Sequence, residues 1–215
     1  MGIAYNTSLV TNGLIMYVDA ANPRSYSGTG NTWYDLSGNN NHMTLVNGVA
    51  YSTNNGGVMQ TDGTNDYIVL SPFDQRFTDH TIMGASRYSG ATRGRVITSF
   101  TNQWLLGHFS DKMPVYYPGQ WTVPQIGTGT TEWLILTALE NYSADFWTYY
   151  CNGVLGNNQT PALGTQGPNG LCLGAYAGTS QFSTAEISFL MVYNRLLSEN
   201  EIKQNYNAIK KRYGV

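Results

Sequence analysis

The chain has 215 residues and a formal charge of −2, with only 11% Asp, Glu, Lys and Arg. That balance lacks the basic patch needed to hold nucleic acid or an anionic membrane, so neither is an expected partner. The N-terminus MGIAYNTSLVTNG shows no basic segment leading into an apolar run, and no stretch approaches the ~18 apolar residues of a membrane span. We therefore expect a soluble chain without an export signal.

Sandwiches routinely reach roughly 200–250 residues as one unit, so residues 1–215 fit a single all-β domain. With 24 Gly and 16 Tyr, the composition suits many short strands joined by tight turns. Leu14 to Val18 reads as the first strand and Ala20 to Asn31 as a loop, broken by Pro23, Gly28 and Gly30. Next comes WYDLSGNNNHMTLVNG, Trp33 to Gly48. Its Asp35, Ser37, Gly38 and Asn39-Asn40-Asn41 bond their own main chain and accept left-handed backbone, predicting an ordered turn that needs no ligand. Met43 and Leu45 then alternate into a strand that meets the Asn47-Gly48 turn.

Gly56 and Gly57 introduce a strand at Val58 to Gln60, Asp62-Gly63 turns, and Tyr67 to Leu70 follows as another strand. His80 to Ser86 and Arg95 to Phe100 are strand candidates, and Gln103 to Phe109 should form a hairpin with the latter across Thr101-Asn102. Lys112 to Gly129 contains three prolines and reads as an irregular loop. Trp133 to Leu139 and Phe146 to Cys151 read as core strands around a turn at Glu140 to Asp145. Gly156 to Gly170 reads as a surface loop before a strand at Leu171 to Ala175.

The last segment predicts a helix. Ser198 and Glu201 form a capping box, and Ile202, Tyr206, Ile209 and Tyr213 make one apolar stripe. Glu199 and Glu201 lie near its positive end and Lys210, Lys211 and Arg212 near its negative end, so the charges suit the macrodipole rather than nucleic acid.

The W-x-D-x-S-G-N-x-N-H segment from Trp33 to His42 resembles a motif of the concanavalin A-like lectin/glucanase superfamily, in its laminin-G-like branch. GLIMYVDAA (Gly13 to Ala21), DGTNDYIV (Asp62 to Val69) and EISFLMVYNRLLS (Glu186 to Ser198) agree in order and span almost the whole chain. The resemblance implies a jelly-roll sandwich of two antiparallel sheets with a short C-terminal α-helix. The opening GLIMYVDAANPRSY also resembles versions of this domain in bacteriophage structural proteins.

Glucanases on this fold carry catalytic carboxylates in an E-x-D-x-x-E strand pattern, because alternate strand residues share a face and sit about 5 Å apart. This chain has no such pattern, and Glu132, Glu140, Asp145 and Glu186 read as isolated turn and rim residues. His42 belongs to the polar turn, where a structural hydrogen bond is expected, and neither His80 nor His108 has metal-site spacing. No G-x-S-x-G elbow is present. We therefore expect no enzymatic activity and no catalytic residue.

Cys151 and Cys172 could pair if their strands are neighbours, which spacing alone does not decide; reduced, buried thiols are the expected reading, since two cysteines do not make a disulfide scaffold. Sequons at Asn6, Asn141 and Asn158 carry little meaning without a secretory signal. Asp62, Asn65 and Asp66 offer oxygens in a family that often binds calcium. A hairpin turn is the simpler reading of DGTND, and Phe189 stands where the family often has an acidic residue. We expect no cofactor, with calcium at DGTND as the alternative.

Sugar binding needs exposed rings beside polar groups. Tyr116, Tyr117 and Trp121 are the candidate glycan or partner contacts, with Asn102 and Gln103 nearby, whereas Trp33, Trp104, Trp133 and Trp147 read as packing residues. The phage resemblance and a lone domain point first to a non-enzymatic virion protein, such as a capsid decoration, made in the host cytoplasm and partnered by capsid or other virion proteins. The alternative is a glycan-binding adhesion module of a tail fibre or host-attachment lectin. Exposed aromatics and free sheet edges also predict association, a homo-oligomer being one form it can take.

Overall fold

The computed structural model describes residues 8–121, 131–159 and 167–215. The first strands in chain order are β1 (Leu14–Asp19), β2 (Thr32–Trp33), β3 (Met43–Val46), β4 (Ala50–Ser52) and β5 (Val58–Asp62). Then come β6 (Tyr67–Asp74), β7 (His80–Arg93), β8 (Ile97–Ser99), β9 (Leu105–Phe109) and β10 (Lys112–Tyr117). The series ends with β11 (Leu134–Asn141), β12 (Phe146–Cys151), β13 (Val154–Gln159), β14 (Asn169–Leu173) and β15 (Ser183–Tyr193), followed by helix α1 (Glu199–Ile209).

These strands build two antiparallel sheets. One runs β13-β12-β11-β7-β15-β5-β4, with β1 sharing the β15 edge, and the other runs β10-β9-β8-β14-β6-β3-β2. Alternating side chains of both sheets meet between them around Trp33, Trp104, Trp147, Tyr116 and Tyr149. The Trp33, Trp104, Trp133 and Trp147 packing assignments hold, each ring being buried.

A second apolar layer lies on the far side of the first sheet, where Ile202, Ile209 and Tyr213 cover Phe189, Met191, Trp133 and Ile135. β15 can serve both layers because of a register shift between Ile187 and Phe189. Ala185 and Ile187 face the inter-sheet core, and after the shift Leu190 and Val192 face it while Phe189 and Met191 turn to the helix.

The helix starts as expected, with both halves of the Ser198–Glu201 capping box formed. It ends earlier than the basic run, and Lys210–Arg212 forms a 3₁₀ turn. Arg212 there points inward: Nη1 donates to both oxygens of Asp19 at 2.9 and 3.0 Å, and Nη2 to Ser188 Oγ at 2.7 Å. Its role is to bind the chain end to β1 and to the β15 bulge.

The Trp33–Gly48 stretch forms the ordered turn that its residues predict. Asp35 Oδ1 accepts from the Tyr17 and Ser37 amides at 2.8 and 2.9 Å, and Oδ2 from Ser37 Oγ and the Asn41 amide at 2.8 and 3.0 Å. His42 Nδ1 accepts from the Asp35 amide at 3.0 Å, the structural role expected of it. DGTND is likewise a turn, with Asp62 Oδ1 accepting from the Thr64 amide at 2.7 Å; these bonds lower the Asp62 pKa.

Two segments expected as loops contain strands. Lys112–Tyr117 is β10, an edge strand paired with β9, and Pro114 falls in its register break between Lys112 and Val115, where a missing N–H removes no ladder bond. Residues 122–129 of that expected loop lie outside the described residues. Val154–Gln159 is β13, the edge strand beside β12. An edge strand has little apolar pattern to announce it, and Gly156 belongs there because a Cβ would stand 2.3 Å from the Tyr149 ring.

Candidate functional site

The candidate site is a cleft of about 180 Å³ lined by Arg95, Gln103, Tyr117 and Trp121. Strand alternation puts it on the outer face of the second sheet. Tyr116, Ile97 and Leu106 point into the sandwich, so their neighbours Tyr117, Thr98 and Leu105 point out of it. The β8–β9 hairpin places Gln103 in its turn, and β10 delivers Tyr117 and then Trp121 to the same side.

Trp121 is 41% exposed. Its ring stacks on Phe109 with centroids 5.6 Å apart and planes at 16°, and Tyr117 meets it edge-on at 5.0 Å. The two neighbours fix the Trp121 plane and leave ring surface open to solvent.

Arg95 forms the polar floor and is only 6% exposed. Nε donates to Gln181 Oε1 at 2.6 Å, Nη1 to Thr98 Oγ1 and the Gln103 carbonyl at 3.4 and 3.3 Å, and Nη2 to Gln103 Oε1 at 2.5 Å. The guanidinium also lies 4.4 Å from the Tyr176 ring centroid and 5.3 Å from that of Phe109. Burial pulls its pKa down from the ordinary arginine value. None of the salt bridges among the described residues involves Arg95.

Of the residues expected to contact a ligand, Tyr117 and Trp121 come together at the cleft and Tyr116 does not. Tyr116 is fully buried, donating its OH to Glu140 Oε1 at 2.5 Å, because its position in β10 faces inward. Gln103 lines the cleft, whereas Asn102 spends its side chain on backbone, donating to Gly167 O at 2.8 Å and accepting from the Trp104 amide at 3.2 Å. Arg95, Phe109, Tyr176 and Gln181 were not legible as site residues. A faint signal existed: between His80 and Ser110 the sequence has three arginines and no carboxylate.

Two carboxylates read as turn or rim residues are buried instead. Glu140 sits between the sheets, accepting also from Trp104 Nε1 at 2.6 Å, and burial pushes its pKa up. Glu186 is held by Arg87 Nε at 2.7 Å and Gln60 Nε2 at 2.8 Å. Both lie on strands whose two faces are covered. Asp145 keeps the turn role, with φ of 49°. His80 Nδ1 lies 2.9 Å from Thr78 O, and His108 is wholly buried near Ser86 Oγ at 3.3 Å, its pKa pushed down to about 3 by desolvation. Cys151 and Cys172 are both free thiols; Cys172 is buried as expected, whereas Cys151 is only half-buried. Among the described residues, no nucleophile with a base lines the cleft.

No protein-family model matches the sequence, and no curated protein matches it. Solved structures of the same fold include the binding domain of Paraclostridial Mosquitocidal Protein 1, with 16% identity and a TM-score of 0.67 over 92% of this chain and 52% of that one. The botulinum neurotoxin serotype D binding domain superposes with 14% identity and a TM-score of 0.66, again over 92% of this chain and 52% of that one. The Trypanosoma rangeli sialidase in complex with sialic acid gives 13% identity and a TM-score of 0.66, over 93% of this chain and 33% of that one. The chain thus spans about half or less of these proteins, and the likeness shows a jelly-roll, lectin-like β-sandwich.

Proposed function

We propose that this chain is a non-enzymatic carbohydrate-binding module that attaches to a surface glycan through the Arg95–Gln103–Tyr117–Trp121 cleft. The observation that carries the reading is the half-open Trp121 ring, held flat by Phe109 beside a polar floor. A pyranose stacks its C–H face on such a ring while its hydroxyls bond to Gln103, Tyr117 and the Arg95 edge. Clefts of this kind hold orientation by a few fixed polar groups and take affinity from apolar contact. Support also comes from proteins of the same fold described as receptor binding domains and, for the sialidase, found with sialic acid.

A glycan array followed by calorimetry tests this directly. Wild type should retain one glycan class, and Trp121→Ala should weaken it by at least about tenfold, near 1.4 kcal/mol, without unfolding the protein. Retention of the same affinity by Trp121→Ala, or no glycan bound at all, would refute the assignment.

The GLIMYVDAANPRSY opening, which resembles versions of this domain in bacteriophage structural proteins, supports a second reading, in which the module belongs to the exterior of a phage particle. Cryo-electron microscopy of intact particles separates the two: density at symmetry-related capsid positions fits a decoration role, and density on a tail or fibre fits adhesion.

A further inference from the structure

Arg95 is charged, nearly buried and matched only by neutral oxygens. Among the described residues its five N–H groups meet four of them, from Gln181, Thr98 and twice from Gln103, which leaves one N–H on Nη2 for a ligand. The carboxylates that would normally neutralise such a group are missing. None lies within salt-bridge distance among the described residues, and residues 1–7, 122–130 and 160–166 contain no Asp or Glu.

The neighbouring amides are oriented by the same guanidinium. Arginine has no acceptor, so Gln103 and Gln181 must turn their oxygens toward it and their NH₂ groups away. Gln103 Nε2 accordingly donates to Tyr176 OH at 2.9 Å, which frees that hydroxyl proton to donate onward. The rim therefore presents donors, with its best acceptors already consumed. A neutral sugar needs both donors and acceptors around its hydroxyls, whereas an oxyanion needs donors and positive charge alone.

We propose that the cleft selects an anionic saccharide, one bearing a carboxylate or sulfate that bonds to the Arg95 Nη2 edge and the Gln103 amide while its ring rests on Trp121. The inference rests on the glycan-binding reading and names the ligand class of that site.

Matched oligosaccharides with neutral, carboxylated and sulfated versions of one backbone supply the test, read by calorimetry against wild type, Trp121→Ala and Gln103→Glu. The last variant places a carboxylate against Arg95 and preserves the packing that removal of the buried arginine would disturb. An acidic member should bind wild type at least about tenfold tighter than its neutral parent, weaken as salt is raised, and lose that advantage in Gln103→Glu; whichever acid is preferred identifies the group. Equal affinity for neutral parents, still dependent on Trp121, would overturn the anion preference and leave glycan binding standing. Absence of any Trp121-dependent binding would remove both.

Discussion

Gln103→Glu should make the protein more stable as it removes anion selectivity. The substituted oxygen lies 2.5 Å from Arg95 Nη2, so the change converts a neutral acceptor into a charged one at unchanged geometry. At ~3 Å and an effective dielectric of about 20, the added attraction is roughly 5 kcal/mol. Desolvation of the new carboxylate and fixing of its side chain at an exposed rim consume most of this, leaving a net gain of about 1 kcal/mol. For a chain of this length that raises Tm by about 2–4 °C. The assay is thermal unfolding at low and high salt and across pH. Pairing with Arg95 lowers the folded pKa of the introduced carboxyl, so the gain is present above its unfolded value near ~4.3 and disappears as pH falls through the folded one. An unchanged or lower Tm at neutral pH and low salt would refute the premise that Arg95 lacks a counter-charge.

Arg212→Ala should cost ~3 kcal/mol and lower Tm by about 6–12 °C, because Asp19 is left buried without its cation; urea unfolding at constant m-value measures it. Acid should weaken the fold through His108. Its folded pKa of about 3 lies below the ordinary histidine value, so the unfolded chain takes up the proton first: its contribution is complete above pH ~6.5 and erodes by at most ~1.4 kcal/mol per pH unit toward ~3. Urea midpoints at pH 7 and pH 5 should differ less in His108→Phe than in wild type. Trp121→Ala should leave Tm within ~2 °C while glycan affinity falls, since the half-open ring packs only on neighbours at the rim and not in the core.

Features legible in the sequence were those whose physics is local. The capping box, the apolar helix stripe and the Asp35 turn each bind residues a few positions apart, and each formed as read. The β8–β9 hairpin was legible for the same reason. Edge strands β10 and β13 were not, because their hydrogen bonds come from neighbours and their residues need no alternating pattern. In the cleft, an aromatic cluster in a Pro-rich stretch identified Tyr117 and Trp121, but strand parity, invisible until β10 was known, separated Tyr116 from them. Arg95 was hidden because its significance lies in a missing partner. Its guanidinium meets Gln181 and Tyr176 from far along the chain, and no spacing rule reports such a meeting.

The position of β15 sets the order in which this protein can be completed. Among the described residues the one sheet partner of β1 is β15, with Leu14 opposite Tyr193, and both β5 and β7 also line that strand. On the ribosome, therefore, β1 emerges well before its sheet partner and has to wait for residues 183–193 with its apolar edge open. Folding is governed by this long-range closure and belongs to the slow, non-local regime, in which incomplete chains are prone to aggregate. A nonsense codon anywhere before β15 would deprive β1, β5 and β7 of their common partner, so truncated products should collect in inclusion bodies rather than persist as smaller folded domains.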